Sequence, residues 1–332
     1  MGGGHVAEMF GPALQQAAAA ILQRQRADGA ILMAPAAQPV NSVIPYFANL
    51  AAIGLAAAYP RTRDASHRLA VAKWLRWYAA HLNPDGTMDD YRLQDGNLQP
   101  TGDCDSTDSY AATFLEALHR YVEVSRDRQL LSALYPAAIK ATGAIRLTLQ
   151  DDGLTWAKPT YRVKYLMDNV EVYRGWRSAA ALARLMNRKG ETDTFQRFAE
   201  RTLRAIDTIL FREDRGYYAL AMHENGVMEA RLVRWYPDVM AQLMAVAWLP
   251  PASRRKELFR RLRQQFQTQW EDALDGGEVG VLVWWGMAAL GAGDRPFAER
   301  IARKLAEEQV LNQPQPGPAE YGHVLRICSN WS

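Results

Sequence analysis

The chain has 332 residues, 48% hydrophobic and 23% charged, a balance that supplies a sizeable core and excludes a largely disordered protein. Its net charge of +3, from 39 basic and 36 acidic residues spread along the sequence, is too small to imply a nucleic-acid partner or binding to an anionic membrane. Two cysteines exclude a disulfide framework, and no apolar run reaches the ~18 residues of a membrane span.

In chain order, an acidic-plus-glycine turn recurs at Asp28-Gly29, Asp85-Gly86, Asp152-Gly153, Asp214-Arg215-Gly216 and Asp275-Gly276, with a period of roughly 60 residues that implies five to six structural units. Each turn follows an amphipathic helical stretch. In the stretch containing Phe195, Phe198, Thr202, Ile206, Ile209 and Leu210, apolar residues recur at helical spacing with charges opposite. After each turn comes a loop and a second stretch, apolar nearly all round: Val43 to Ala58, Thr107 to Val124, Val170 to Met186, Val239 to Leu249 and Val279 to Ala292. A layer of wholly buried helices wrapped by amphipathic ones is what a closed ring requires. The expected fold is therefore all-α, a single (α/α)6 toroid domain spanning 1–332. Beyond Glu308 the stretch Gln313 to Pro318 is helix-incompatible, so the sixth inner helix is expected to be short or the ring incomplete. The basic cluster Arg254, Arg255, Lys256, Arg260, Arg261 and Arg263 reads as the solvated face of an outer helix.

Chain direction gathers all the inner-helix N-termini at one mouth, and acids recur there. Asp103, Asp105 and Asp108 precede or open the second inner helix, Asp168 and Glu171 the third, Asp238 the fourth and Glu278 the fifth. Helix capping accounts for any one of them at a value of roughly 0.5–2 kcal/mol. Three carboxylates within six residues exceed what one cap needs. Crowding raises a carboxyl's proton affinity and a helix N-terminus lowers it, so such a mouth can split two acids into a proton donor and a base. Glu171, one turn into an inner helix, is expected to be the general acid and Asp105 the base that activates water, with Asp168 as a substitute. Tyr46, Tyr110, Tyr173, Trp235 and Tyr236 lie within a turn of helix starts and are expected to line a binding cleft, together with Asp108, Asp238 and Glu278. Trp284 and Trp285 read as core. Cys104, Cys328 and His323 lack metal-site spacing, and neither a metal nor a cofactor is expected.

The repeated Asp-Gly turns, Asp103 to Leu115 (DCDSTDSYAATFL), Asp168 to Leu185 (DNVEVYRGWRSAAALARL), Phe211 to Ala219 (FREDRGYYA) and Trp235 to Leu243 (WYPDVMAQL) make the sequence resemble the six-hairpin glycosidase superfamily. The Ser-Thr-Asp segment is also similar to the helix start of family 8 endoglucanases. That similarity implies that Asp108 is a sugar ligand or catalytic auxiliary. The second inner element of that family keeps a glutamate that Asn41 to Leu55 lacks. The resemblance implies a glycoside hydrolase acting on an oligo- or polysaccharide, inverting if the carboxyls stand roughly 6.5–9.5 Å apart. Two alternatives share the toroid: a non-catalytic glycan-binding or polysaccharide-assembly protein, and a class II terpene cyclase, whose Asp-rich segment Asp103 to Thr107 partly matches. The start lacks the basic and apolar pattern of a secretory leader, so a cytoplasmic location is expected, or a periplasmic one if a leader has been removed.

Overall fold

The computed structural model describes residues 9–35, 37–38, 41–307, 309–312 and 316–331. Glu308 and Gln313 to Gln315 of the Pro-rich stretch, and the first eight residues that were read for a leader, lie outside them.

The described residues form thirteen helices. The outer layer consists of α1 (Gly11–Leu22), α3 (Ala65–His81), α5 (Arg128–Thr148), α7 (Lys189–Ala205), the pair α9 (Ser253–Gln265) and α10 (Gln267–Gly276), and α12 (Arg295–Leu305). Between them run the inner helices α2 (Pro45–Thr62), α4 (Thr107–Ser125), α6 (Leu166–Leu185), α8 (Met240–Trp248), α11 (Val279–Ala292) and α13 (Pro318–Cys328). Each inner helix packs on the next, and α13 packs back on α2, so the ring of six is closed. The sixth inner helix is short, as expected. It nevertheless completes the toroid.

The two layers follow from their residues. Outer α12 buries Phe297, Ala298, Ile301, Ala302 and Leu305 on one face, while inner α2 buries residues all round, an unbroken run from Ala48 to Ala56 among them. The repeated turns are local chemistry. Asp28, Asp85 and Asp152 each accept a hydrogen bond from the backbone N–H two residues on, and the following glycine takes a positive φ. A Cβ on Gly86 would lie 2.1 Å from the Lys140 carbonyl oxygen of the next outer helix, so this glycine also brings the turn against its neighbour. At the fifth turn the positive φ falls on Gly277, because Gly276 still belongs to α10.

Among the described residues, eight short strands decorate the segments leading into inner helices. β1 (Asn41–Val43), β2 (Tyr91–Gln94) and β3 (Asn97–Pro100) form one antiparallel sheet in that order. β4 (Lys164–Tyr165) pairs with β7 (Ala221–His223), which pairs with β8 (Gly226–Met228), and β5 (Phe211–Arg212) with β6 (Tyr217–Tyr218). The basic cluster on α9 is only partly solvated. Arg255 is buried and donates to Asp207 Oδ1 at 2.6 Å and Tyr218 Oη at 2.8 Å, because it points along the inward edge of its helix. No helix among the described residues is long and apolar enough to cross a membrane.

Candidate active site

Helix capping explains the start of several outer helices and not the inner mouth. Asp64, Asp127 and Asp294 cap α3, α5 and α12 through their side chains. At the inner helices α2, α4, α6, α8, α11 and α13 no N-cap side chain makes a capping bond. Asp168 is not the cap of α6, since the helix begins four residues earlier than the sequence pattern indicates, at Leu166, and Tyr165 occupies the cap. Asp168 therefore lies in the first turn and Glu171 in the second.

Between the starts of α4, α6 and α8 lies a cavity of about 640 Å³, a volume suited to a small ligand. Asp105, Asp168, Lys158, Tyr161, Tyr165 and Tyr236 are among its walls. Asp105 is exposed on the loop before α4. Asp168 is partly buried on the facing helix, where desolvation, then Asp108 and Asp105, hold its pKa well above the ordinary carboxyl value. Tyr236 is 62% exposed and Tyr161 47%, two tyrosine faces open to a ligand at the rim.

Beneath the cavity the acids are hydrogen-bonded in series. Asp108, fully buried, accepts from Ser106 Oγ at 2.5 Å, from the Ser109 N–H at 2.8 Å and from Thr155 Oγ1 at 2.5 Å, while burial still pushes its pKa up to about 6. Ser106 Oγ also lies 3.2 Å from Asp168 Oδ2. A hydroxyl has one proton to donate, and the shorter contact to Asp108 takes it. The longer contact is then a good bond when Asp168 is protonated and donates to Ser106. Glu171 is 3% exposed, accepts a 2.7 Å bond from Tyr46 Oη, and is raised well above the usual range by desolvation and by Asp168 and Asp108.

The expected residues thus divide. Asp105, Asp168 and Tyr236 line the cavity. Tyr46 and Tyr110 lie beside or below it, their rings stacked 6.1 Å apart, and Tyr110 is nearly fully buried. Trp235 is partly buried against the core. Asp238 is fully buried, accepting from the Arg231 N–H at 3.0 Å and lying 3.6 Å from Arg234. Neither Asp238 nor Glu278, exposed at the start of α11, lines the cavity. Tyr173 lies deeper on α6 and faces a cavity at the opposite end of the ring. Trp284 and Trp285 are core.

One acid escaped the sequence reading. Asp90, on the loop before β2, accepts from Tyr110 Oη at 2.9 Å, and burial with Asp105, Asp103 and Asp89 nearby raises its pKa to about 6. The doublet Asp89-Asp90, just past the Asp85-Gly86 turn, was the available signal. Asp103, first acid of the Asp-rich segment, does not line the cavity and pairs with Lys158 at 2.8 Å.

No protein-family model and no curated protein matches the sequence. Solved structures do resemble the fold. The mannosylglycerate hydrolase of glycoside hydrolase family 63 from Thermus thermophilus superposes with a TM-score of 0.65 at 11% identity, covering 96% of this chain and 99% of that one. An alpha-amylase from Clostridium perfringens gives 0.64 at 10% identity over 96% and 97%. A rhamnosidase from Klebsiella oxytoca gives 0.58 at 16% identity over 85% of this chain and 56% of that chain. The likeness is one of fold: a closed α/α toroid.

Proposed function

We propose that this protein is a glycoside hydrolase acting on an oligo- or polysaccharide, with Asp168 as the general acid and Asp105 as the base. One observation carries this reading: two carboxyl groups line a single cavity in opposite environments, one desolvated and crowded by acids, the other exposed. Asp168 is preferred to Glu171 because it borders the cavity, whereas Glu171 is sealed beneath by Tyr46. Proton donation to a leaving oxygen needs direct reach. Asp105, with solvent around it, is suited to orient a water, which corresponds to inversion at the anomeric carbon. Tyr236 and Tyr161 offer ring faces for sugar stacking, and Lys158 polar contacts. The similarity in fold to an alpha-amylase, a rhamnosidase and a mannosylglycerate hydrolase supports a carbohydrate substrate and names the glycosides to try first. The cyclase alternative loses support from Asp103, whose carboxylate is held by Lys158 at the surface.

The test is turnover on α-glucans, rhamnosides and mannosides by wild type, Asp168→Asn and Asp105→Asn. Each variant should fold and lose at least about a hundredfold in kcat, the low end for a positioned acid or base. An aryl glycoside whose leaving group needs no protonation should partly restore Asp168→Asn and leave Asp105→Asn slow. Two fully active variants would refute the pair. Binding of glycans without turnover by wild type would make this a glycan-binding protein.

A further inference from the structure

The opposite end of the inner ring, where the C-terminal halves of α4, α8 and α11 meet the middle of α6, holds a second cavity of about 550 Å³. Its walls include Glu116, Arg120, Tyr173, Arg174, Arg177 and Trp248. The charges here do not balance. Arg174 forms a two-pronged pair with Glu116, and Arg120 pairs with Glu123 at 2.6 Å. Arg177, exposed on the wall, donates at 3.0 Å to the hydroxyl of Tyr173, which carries no charge. Arg326, from α13, lies over the Trp248 ring at 5.2 Å, on which Arg174 also lies at 5.4 Å. Its Nη1 is buried and has no partner among the described residues. Two carboxylates thus serve four guanidinium groups.

Unmet donors cluster at the same place. Trp248 is 4% exposed, borders the cavity, and its indole N–H has no acceptor among the described residues. His323, packed against Trp248, is buried with both ring nitrogens unpartnered there. Buried polar groups left unpaired are costly, and a buried guanidinium nitrogen without a partner, as on Arg326, is costlier. Helix dipoles favour cations only within the last turn, and Arg174 and Arg177 lie two turns or more before the end of α6. Burial lowers the Arg326 pKa to about 9, with Glu116 opposing the shift and Arg174 and Arg120 adding to it.

We propose that this mouth is a second binding site, which takes the carboxylate or phosphate group of a small polar ligand on Arg174 and Arg177, with Arg326 and Trp248 behind them. Planar guanidinium forks match both oxyanions. The inference is independent of the chemistry assigned to the other mouth.

Calorimetric titration of the full chain with D-glucuronate, inorganic phosphate and D-glucose tests it. Glucuronate, phosphate or both should bind more tightly than glucose, which has no anionic group for the arginines, and the pattern tells a carboxylate site from a phosphate site. Arg177→Ala, at an exposed position, should keep the wild-type melting temperature and weaken the anion at least tenfold, with Arg177→Lys between the two. Asp105→Asn, at the far mouth, should leave the affinity unchanged. Absence of anion binding, equal affinity for glucose, an undiminished Arg177→Ala, or loss of binding in Asp105→Asn would each overturn the proposal.

Discussion

Glu171 is a carboxyl group placed where a carboxylate is costly. Burial and then two further acids inside the ring outweigh the hydrogen bond that Tyr46 donates to it. Its pKa is therefore higher folded than unfolded, where a glutamate titrates near about 4.3. Between those two values the folded chain binds more protons than the unfolded one, so the contribution to stability is complete at acid pH and falls as pH rises through the folded value. Asp168, Asp108 and Asp90 share the sign, the last two with folded values of about 6. Glu171→Gln keeps an oxygen that accepts the Tyr46 bond and removes the ionisation. Melting temperatures from pH 4 to 8 should show the variant matching wild type at the acid end and exceeding it at pH 8. A wild-type protein more stable at pH 8 than Glu171→Gln would show that the ionised carboxylate is held by groups other than those identified. In turnover, a general acid at Asp168 requires activity to decline as pH rises through its raised pKa.

Between the inner helices, alternate seams of the ring are made close by glycine. A Cβ on Gly322 of α13 would lie 2.4 Å from the Leu50 carbonyl oxygen of α2, and one on Gly54 of α2 would lie 2.3 Å from the Gly322 oxygen. Gly175 of α6 stands against Ala112 of α4, and Gly291 of α11 against Val246 and Ala247 at the end of α8. Both partners at each seam are backbone or Cβ, so no flexible side chain can give way. Gly322→Ala should cost about 1–3 kcal/mol through overpacking, read as an earlier midpoint in urea unfolding, whereas Gly190→Ala on outer α7, with open space around it, should shift the midpoint little. These seams were not legible in the sequence, because a glycine within an Ala-rich helix looks the same whether it faces a backbone or a side chain. The hairpin repeat was legible, since an Asp that caps its own turn and a glycine with positive φ are local requirements. The mouth was legible as a place and less so in its members. Asp105, Asp168 and Tyr236 reach the cavity, but a four-residue displacement of the α6 start moved Asp168 inside the helix and Glu171 below it. Asp238 shows the same limit: whether an acid at a helix start faces a cleft or its own loop depends on neighbours distant in sequence.

At the scale of the whole molecule, the far-mouth arginines come from α4, α6 and α13, and only closure of the ring assembles them. The same closure sets the order in which the molecule can be built. The contact of α13 with α2 joins segments near opposite ends of the sequence, so its loop entropy is met only once nearly all the chain is in place. Until then α2 and α11 each present an apolar wall with one neighbour missing. A chain ending at residue 311 should retain much of its helical circular dichroism, bind the dye ANS and aggregate at micromolar concentration; a soluble, dye-silent monomer would show that five hairpins suffice. During synthesis on the ribosome, these hairpins emerge long before the helix that shields them. The interval between their appearance and the arrival of Pro318–Cys328 is the period in which this chain is most exposed to self-association and most in need of a chaperone.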